Sequence, residues 1–174
     1  MLDMSTNRAT LYPVKPEAES VQAAIGQSKP FRSPGQEAVV ALFLAAEAVR
    51  RPFARMLEEH GDITHQQYNV LRILRGAGDD GLPTLEIGVR MIEYTPGITR
   101  LLDRLEAKGL VSRTRSDEDR RQVVCRISPR GLRLLKELDP DMNRLDDAAL
   151  DTLSKSELET LVRLLNRIRR HSAQ

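Results

Sequence analysis

Residues 100–133 carry a marked excess of basic side chains. Ten basic residues stand against five acidic ones in this segment, whereas the whole chain of 174 residues has a formal net charge of +2. The basic residues are Arg100, Arg104, Lys108, Arg113, Arg115, Arg120, Arg121, Arg126, Arg130 and Arg133. Because clustered guanidinium and ammonium groups attract phosphate, the segment favours binding to a nucleic-acid backbone.

Other site chemistries find little support in the sequence. Cys125 is the single cysteine, which excludes an intramolecular disulfide and a cysteine zinc site, and we expect it to be a small strand residue and not a redox sensor. His60, His65 and His171 lack metal-ligand spacing, so we expect no metal and no cofactor. No nucleophile with an adjacent base, no pair of catalytic carboxylates and no phosphate-binding glycine loop is found, so we expect no enzyme.

The first basic residues of segment 100–133 are predicted to lie on a helix. Thr95 and Pro96 supply an N-cap hydroxyl and a proline suited to the first helical position, and Gly109 supplies a C-terminal glycine. The apolar residues between them recur with helical periodicity: Ile98, Leu101, Leu102 and Leu105. The residues that this periodicity turns outward are Thr99, Arg100, Asp103 and Arg104.

Two β-compatible runs follow, at residues 110–114 and 122–127. The segment between them, 115–121, is short and densely charged, which predicts a hairpin with a charged tip. A helix followed by such a hairpin indicates a winged helix.

Two further helices are predicted before the basic one. Thr64 and Gln67 form a capping-box pattern that opens a helix over 64–75, and a short helix covers 83–89 after a loop at 77–82. Gly88 is costly inside a helix, so we expect another helix to cross closely there. The short helix and the basic helix together predict a helix-turn-helix.

Long helices are predicted at both ends of the chain. Residues 38–46 are apolar on every face of a helix over 36–60, which requires burial against a partner, and Pro52 should kink this helix. Ser128 opens a helix that Pro140 should kink or split, and a capping box at Ser154 and Glu157 opens the last helix.

The fold class expected is therefore mainly α with a small β-hairpin wing. We predict a flexible N-terminal extension at 1–33, a helical dimerisation region at 34–61 and 139–174, and a winged helix-turn-helix at 62–138. The extension could instead be an arm that wraps a partner. Scarce aromatics, at 3% of residues, agree with helix packing. No apolar run could cross a bilayer, so we expect a soluble cytoplasmic protein. Because one protomer cannot bury the helix that is apolar on every face, we expect a homodimer.

Three segments, 67–74, 99–111 and 119–121, resemble the MarR family of winged-helix transcriptional regulators in sequence, order and spacing. The resemblance runs from about residue 35 to residue 170, and its most diagnostic part is the Asp-x-Arg formed by Asp119 and Arg121. It implies a dimer that binds a pseudo-palindromic operator in double-stranded DNA. Many such proteins release DNA when a small phenolic or anionic ligand enters a cleft between the dimer layer and the DNA-binding lobe.

The resemblance also implies roles for individual residues. Thr95, Thr99 and Arg100 would lie near bases and Arg104 near phosphate, while Arg113 would brace the wing or contact phosphate. In the wing, Arg120 and Arg121 would contact DNA, Arg121 in the minor groove, and Asp119 would hold the loop in shape. The ligand cleft would be lined by Phe53, Met56, His60 and Tyr68, which could equally be core residues. Tyr94 replaces the acidic residue that some members carry before the recognition helix, so their ion pair between wing and helix is not expected.

The function predicted is a ligand-responsive repressor. The alternative is a winged-helix module for protein assembly that does not bind DNA specifically. The salt dependence of binding to random duplex DNA separates the two functions. A DNA-binding regulator should show such a dependence, whereas an assembly module should show none.

Overall fold

The computed structural model describes residues 20–93, 95–115 and 122–172. Its helices are α1 (Val21–Ala24), α2 (Pro34–Gly61), α3 (His65–Ala77), α4 (Thr84–Arg90), α5 (Ile98–Ala107), α6 (Pro129–Ala149) and α7 (Lys155–Ser172). Its strands β1 (Leu82–Pro83), β2 (Val111–Arg115) and β3 (Val123–Ile127) form an antiparallel sheet in the order β1-β3-β2. The expected fold class, mainly helical with a small wing, is confirmed. None of the described helices is long and apolar enough to cross a membrane.

The chain divides into two compact units after Arg50. In the first unit, the Ser20 hydroxyl accepts a hydrogen bond from the Ala23 N–H at 3.2 Å and caps α1. The part of α2 in this unit exposes Val39, Leu42 and Phe43, with Phe43 69% accessible. Of the predicted extension 1–33, residues 1–19 lie outside the described part of the chain.

The second unit is built around α3, which packs against α4, α5, α6 and β3. The largest fully buried side chains belong to these elements and to the end of α2, and they include Leu57, Leu71, Leu74, Ile87, Leu102, Leu105 and Leu135. Leu102 and Leu105 belong to the stripe that helical periodicity predicts for the buried side of the basic helix. This core holds α5 and the sheet beside each other.

The predicted helix caps are confirmed at three N-termini. The Gln67 N–H donates to Thr64 Oγ1 at 3.2 Å, and the Thr64 N–H donates to Gln67 Oε1 at 3.0 Å. The Gly131 N–H donates to Ser128 Oγ at 3.0 Å at the start of α6. At the start of α7, the Ser154 hydroxyl and N–H both donate to the Glu157 carboxylate, which lowers the pKa of Glu157.

Neither of the two prolines inside helices interrupts its helix. Helices α2 and α6 continue through Pro52 and Pro140, so the expectation that Pro140 could split its helix is wrong. Both prolines lie on exposed positions. The carbonyl groups that lose their helical donor there can bond to water, which allows the helices to continue.

Strand β1 was not expected from the sequence, which predicts a loop at 77–82. Leu82 pairs with Cys125 and Pro83 with Val124 across the edge of the sheet. Pro83 is tolerated because an edge strand leaves one side of its backbone unpaired. Gly81 precedes the strand with a φ of 70°, and a Cβ there would lie 2.4 Å from the Cys125 carbonyl oxygen.

The close helix crossing expected at Gly88 is wrong, since a Cβ at Gly88 would meet no atom within 4 Å among the described contacts. Gly131 is the crowded glycine instead. A Cβ there would lie 2.4 Å from the Leu110 carbonyl oxygen and 2.8 Å from Ile127 Cγ1. Helix α6 therefore approaches the start of the wing closely at Gly131.

These two glycines give opposite predictions. Gly131→Ala should lower the free energy of unfolding by ~1–3 kcal/mol, because the methyl group must displace backbone. Gly88→Ala should raise it by ~0.5–1 kcal/mol, because alanine loses less entropy in a helix. Urea unfolding of both variants beside the parent chain measures this. An unchanged midpoint for Gly131→Ala would contradict the close approach.

Candidate nucleic-acid interface

The basic helix α5 begins two residues later than the sequence predicts. Its N-cap is Gly97, and no side chain caps it. Thr95 was expected in this role, but its hydroxyl donates to the Glu93 carbonyl oxygen at 3.0 Å. The prediction is wrong because a threonine hydroxyl can bond to nearby backbone in a non-helical turn instead of capping a helix. Thr95 is half-buried beside that turn.

The two faces of α5 are as predicted. Leu101, Leu102 and Leu105 are buried in the core of the second unit, to which α5 belongs. The exposed residues on the other side are Thr99, Arg100, Asp103 and Arg104. Within the described residues, the guanidinium groups of Arg100 and Arg104 have no hydrogen-bond or ion-pair partner, so both are free to bind an anion.

Helix α5 ends at a glycine, as predicted. Gly109 has a φ of 67°, its N–H donates to the Glu106 carbonyl oxygen, and the Leu110 N–H donates to the Leu105 carbonyl oxygen. Such a termination satisfies the last carbonyls of the helix. The Ser128 hydroxyl donates to the Gly109 carbonyl oxygen at 2.7 Å and ties this turn to the start of α6.

Arg113, on β2, connects the wing to α5. Its Nε–H and one terminal nitrogen donate to Glu106 Oε2 at 2.9 and 2.5 Å, and the other terminal nitrogen lies 2.7 Å from Asp103 Oδ1. The hydrogen bond to Glu106 and the neighbouring Asp103 raise the pKa of Arg113. Of the two roles that the resemblance implies, bracing the wing is the one this geometry favours.

Strand β3 carries two residues that fix the sheet. Arg126 donates to the Asp79 carbonyl oxygen and to Thr114 Oγ1, both at 2.9 Å, so it bridges neighbouring segments; the sequence suggested no such role for it. Cys125 is fully buried, with Sγ 3.6 Å from Thr84 Oγ1. Burial raises the pKa of the Cys125 thiol, which favours the thiol over the nucleophilic thiolate.

The tip of the wing lies outside the described residues, which resume at Gln122. Asp119, Arg120 and Arg121 belong to this part, and their roles stay predictions. The register of the hairpin is described up to the pair Arg115 and Val123.

The four residues expected to line a ligand cleft differ in exposure. Phe53, Met56 and Tyr68 are core residues, each at most 8% exposed. The Tyr68 hydroxyl accepts a hydrogen bond from Arg72 at 3.0 Å. His60 is exposed, with Nδ1 3.3 Å from the Met56 carbonyl oxygen.

Comparison with known proteins identifies the family. The family model described as "MarR family" matches residues 63–123. A MarR transcription factor from Planctomyces limnophilus is 36% identical, with a TM-score of 0.61, over 79% of this chain and 98% of that one. The HTH-type transcriptional regulator MhqR of Bacillus subtilis is 29% identical over 129 residues, or 74% of this chain and 87% of MhqR.

A more distant neighbour shares the fold. MepR of Staphylococcus aureus, solved as a complex with DNA, is 22% identical, with a TM-score of 0.70, over 76% of this chain and 96% of that one. Three findings agree with one another. The structure holds a cationic helix against a wing, the MarR family model matches this chain, and the Planctomyces limnophilus protein is 36% identical over 98% of its own length. The chain belongs to the MarR family of winged-helix transcriptional regulators.

Proposed function

We propose that this regulator represses transcription in the cytoplasm by binding a pseudo-palindromic operator as a homodimer. The observation that carries the proposal is the exposed face of α5, where Arg100 and Arg104 lack partners among the described residues. A cationic helix held beside a wing suits insertion into a major groove, with the wing beside the flanking DNA.

Individual contacts follow from the position of each residue on α5. Thr99 and Arg100 lie near the exposed N-terminal end, which is the part of a recognition helix that reaches base edges. Arg104 lies one turn further on and is proposed to contact phosphate. Thr95 and the wing residues Asp119, Arg120 and Arg121 remain proposed contributors on the resemblance alone.

The homodimer is proposed from apolar side chains that each unit leaves exposed. Helix α7 exposes Val162, Leu164, Leu165 and Ile168, which are between 37% and 56% accessible, and α2 exposes Val39, Leu42 and Phe43. Exposed apolar patches of this kind mark interaction surfaces. A two-fold dimer presents two recognition helices, which matches a palindromic site.

Arg100→Ala tests the proposed base contact. We expect specific operator binding to weaken by ~1–3 kcal/mol, the range for one good base contact, while binding to random duplex changes less. Fluorescence anisotropy with both duplexes measures this. Arg144→Ala is a matched control, because Arg144 is exposed on α6 and, within the described part of the chain, forms its ion pair with the nearby Asp141. Equal losses on both duplexes would assign Arg100 to phosphate.

The alternative function, an assembly module without specific DNA binding, makes a different prediction. Such a module should show no dependence of duplex binding on salt, whereas contacts from Arg100 and Arg104 should give a steep decrease in affinity as salt rises. Anisotropy titrations at several salt concentrations separate the two.

A further inference from the structure

Helix α4 exposes an apolar surface that the proposed DNA contacts do not use. Leu85 and Val89 are 82% and 86% exposed, and they lie one turn apart on the same side of α4. Leu85 also lines an open groove of about 370 Å³ together with Val123 of β3, whose side chain is exposed too. These three side chains are called the α4 patch below. Contiguous exposed apolar side chains of this kind mark interaction surfaces.

The helix leaves open space beside this patch at Gly88. A glycine inside a helix lowers stability, and a close crossing by another helix is a reason to keep one there. A Cβ at Gly88 would meet no atom within 4 Å among the described contacts of the chain. The space beside Gly88 is therefore open to a helix of another molecule.

Two opposite charges border the α4 patch. Glu86 and Arg90 directly follow Leu85 and Val89 in the chain, and Arg90 Nη2 donates to Glu86 Oε2 at 3.1 Å. The Glu86 carboxylate repels phosphate, which makes the patch unsuited to a DNA backbone. Because the pair has no net charge, the surface does not repel a second copy of itself.

A two-fold axis makes this surface complementary to itself. When two α4 helices pack antiparallel about such an axis, Leu85 of one copy lies opposite Val89 of the other copy. In the neighbouring row, Glu86 of one copy then lies opposite Arg90 of the other copy. One isologous contact therefore pairs apolar with apolar side chains and acidic with basic ones.

The size of the patch decides when such a contact can form. The three side chains expose on the order of a few hundred Å², whereas a stable protein interface buries ~1,200 Å² or more. Two copies should therefore stay apart in solution unless something else holds them close together. Binding side by side on one duplex does this, because it gives the two copies a high effective concentration.

We propose that the α4 patch joins neighbouring dimers along DNA, with a second copy of this chain as its partner. The contact rests on the proposed function, which supplies the dimer and its DNA contacts. Helix α4 packs against α5, so a dimer that places α5 in a major groove also holds α4 close to the duplex. A dimer already bound should raise the affinity of the next dimer about tenfold.

Counting bound dimers on random-sequence duplexes tests this contact. A duplex of about 25 base pairs holds one dimer, because two half-sites one helical turn apart nearly fill it, and a duplex of about 50 holds two. Mass photometry measures the shares of empty, singly loaded and doubly loaded long duplex. In the parent chain, the product of the empty and doubly loaded shares, divided by the square of the singly loaded share, should be about tenfold higher than for independent binding.

Leu85→Ser should remove most of this excess and leave binding to the short duplex unchanged. Leu132→Ser is the matched control, because Leu132 is another exposed leucine and lies on α6. Weaker binding of Leu85→Ser to the short duplex would assign the patch to DNA and overturn the contact between dimers. An excess that survives Leu85→Ser would overturn it as well.

Two charge variants decide whether the partner is a second copy. Glu86→Arg gives each α4 two neighbouring arginines, and Arg90→Glu gives it two neighbouring glutamates, so each variant alone should lose the excess. An equimolar mixture should restore it on duplexes that carry one dimer of each kind, because arginines then face glutamates. Binding to the short duplex measures any effect of these charges on DNA contacts alone.

The outcomes distinguish this contact from the proposed function. Independent loading of the long duplex by the parent chain overturns the contact, even if both duplexes are bound tightly. A mixture that shows no more excess than its components overturns the assignment of a second copy as the partner. Failure to bind either duplex refutes the proposed function and the contact with it.

Discussion

Leu165→Asp should convert the proposed dimer into monomers. Leu165 lies at the centre of the apolar face of α7, and 37% of it is exposed in the single chain. In a dimer that covers this face, the substitution would bury an unpaired carboxylate, which costs several kcal/mol. We expect the dissociation constant of the dimer to rise by about a hundredfold or more, equivalent to ~2.7 kcal/mol.

Sedimentation velocity across a range of protein concentrations measures this effect. The protomer should stay folded, because Leu165 is not fully buried in it, and circular dichroism checks that. Ser156→Asp is the matched control, since it adds the same charge to an exposed position on the opposite side of α7 from Leu165. A Leu165→Asp variant that remains dimeric at low concentration would refute the assignment of α7 to the interface.

Arg113→Ala should weaken operator binding by about tenfold to a hundredfold, although Arg113 is not proposed to contact DNA. Its guanidinium holds Glu106 and Asp103 of α5 against the wing strand, and charge-assisted hydrogen bonds of this kind contribute ~1.5–3 kcal/mol. Without these hydrogen bonds, α5 and the wing are no longer held in one relative orientation. DNA binding then has to restore that orientation, which weakens it. Anisotropy with operator duplex measures the loss.

Two further substitutions separate a brace from a phosphate contact. Glu106→Gln removes the charged partner of Arg113, so it should weaken operator binding if Arg113 is a brace and strengthen it if the freed arginine contacts phosphate. Arg113→Lys keeps the charge but loses the planar fork that spans both carboxylates. It should therefore behave like Arg113→Ala. Full retention of affinity by Arg113→Lys would contradict the brace.

The parts of the fold that depend on local sequence could be predicted. The capping boxes at Thr64 and Ser154, and the apolar spacing that buries Leu101 and Leu105, act within a few residues of each other. Strand β1 could not be predicted, because Leu82 pairs with Cys125 more than forty residues later and two residues carry no strand pattern of their own. Gly131 is crowded for a similar reason, since the Leu110 carbonyl oxygen is distant in the chain.

The candidate interface also has some features that local sequence predicts and others that it does not. Helical periodicity alone orients Arg100 and Arg104 outward, and the structure agrees. Whether Arg113 meets carboxylates or solvent depends on how β2 lies against α5, which no local pattern specifies. Lys108 Nζ lies 2.9 Å from Asp62 Oδ2, and this pair, 46 residues apart in the chain, has no sequence signal that could predict it.

Selection of genomic DNA fragments by the purified protein, followed by footprinting of the enriched site, tests the regulator most directly. The proposed function predicts enrichment of a short site with two-fold symmetry and two protected half-sites about one helical turn apart. Arg100→Ala should reduce both the enrichment and the protection. Fragments recovered without any common sequence, with equal yield from Arg100→Ala and no decrease at higher salt, would contradict it.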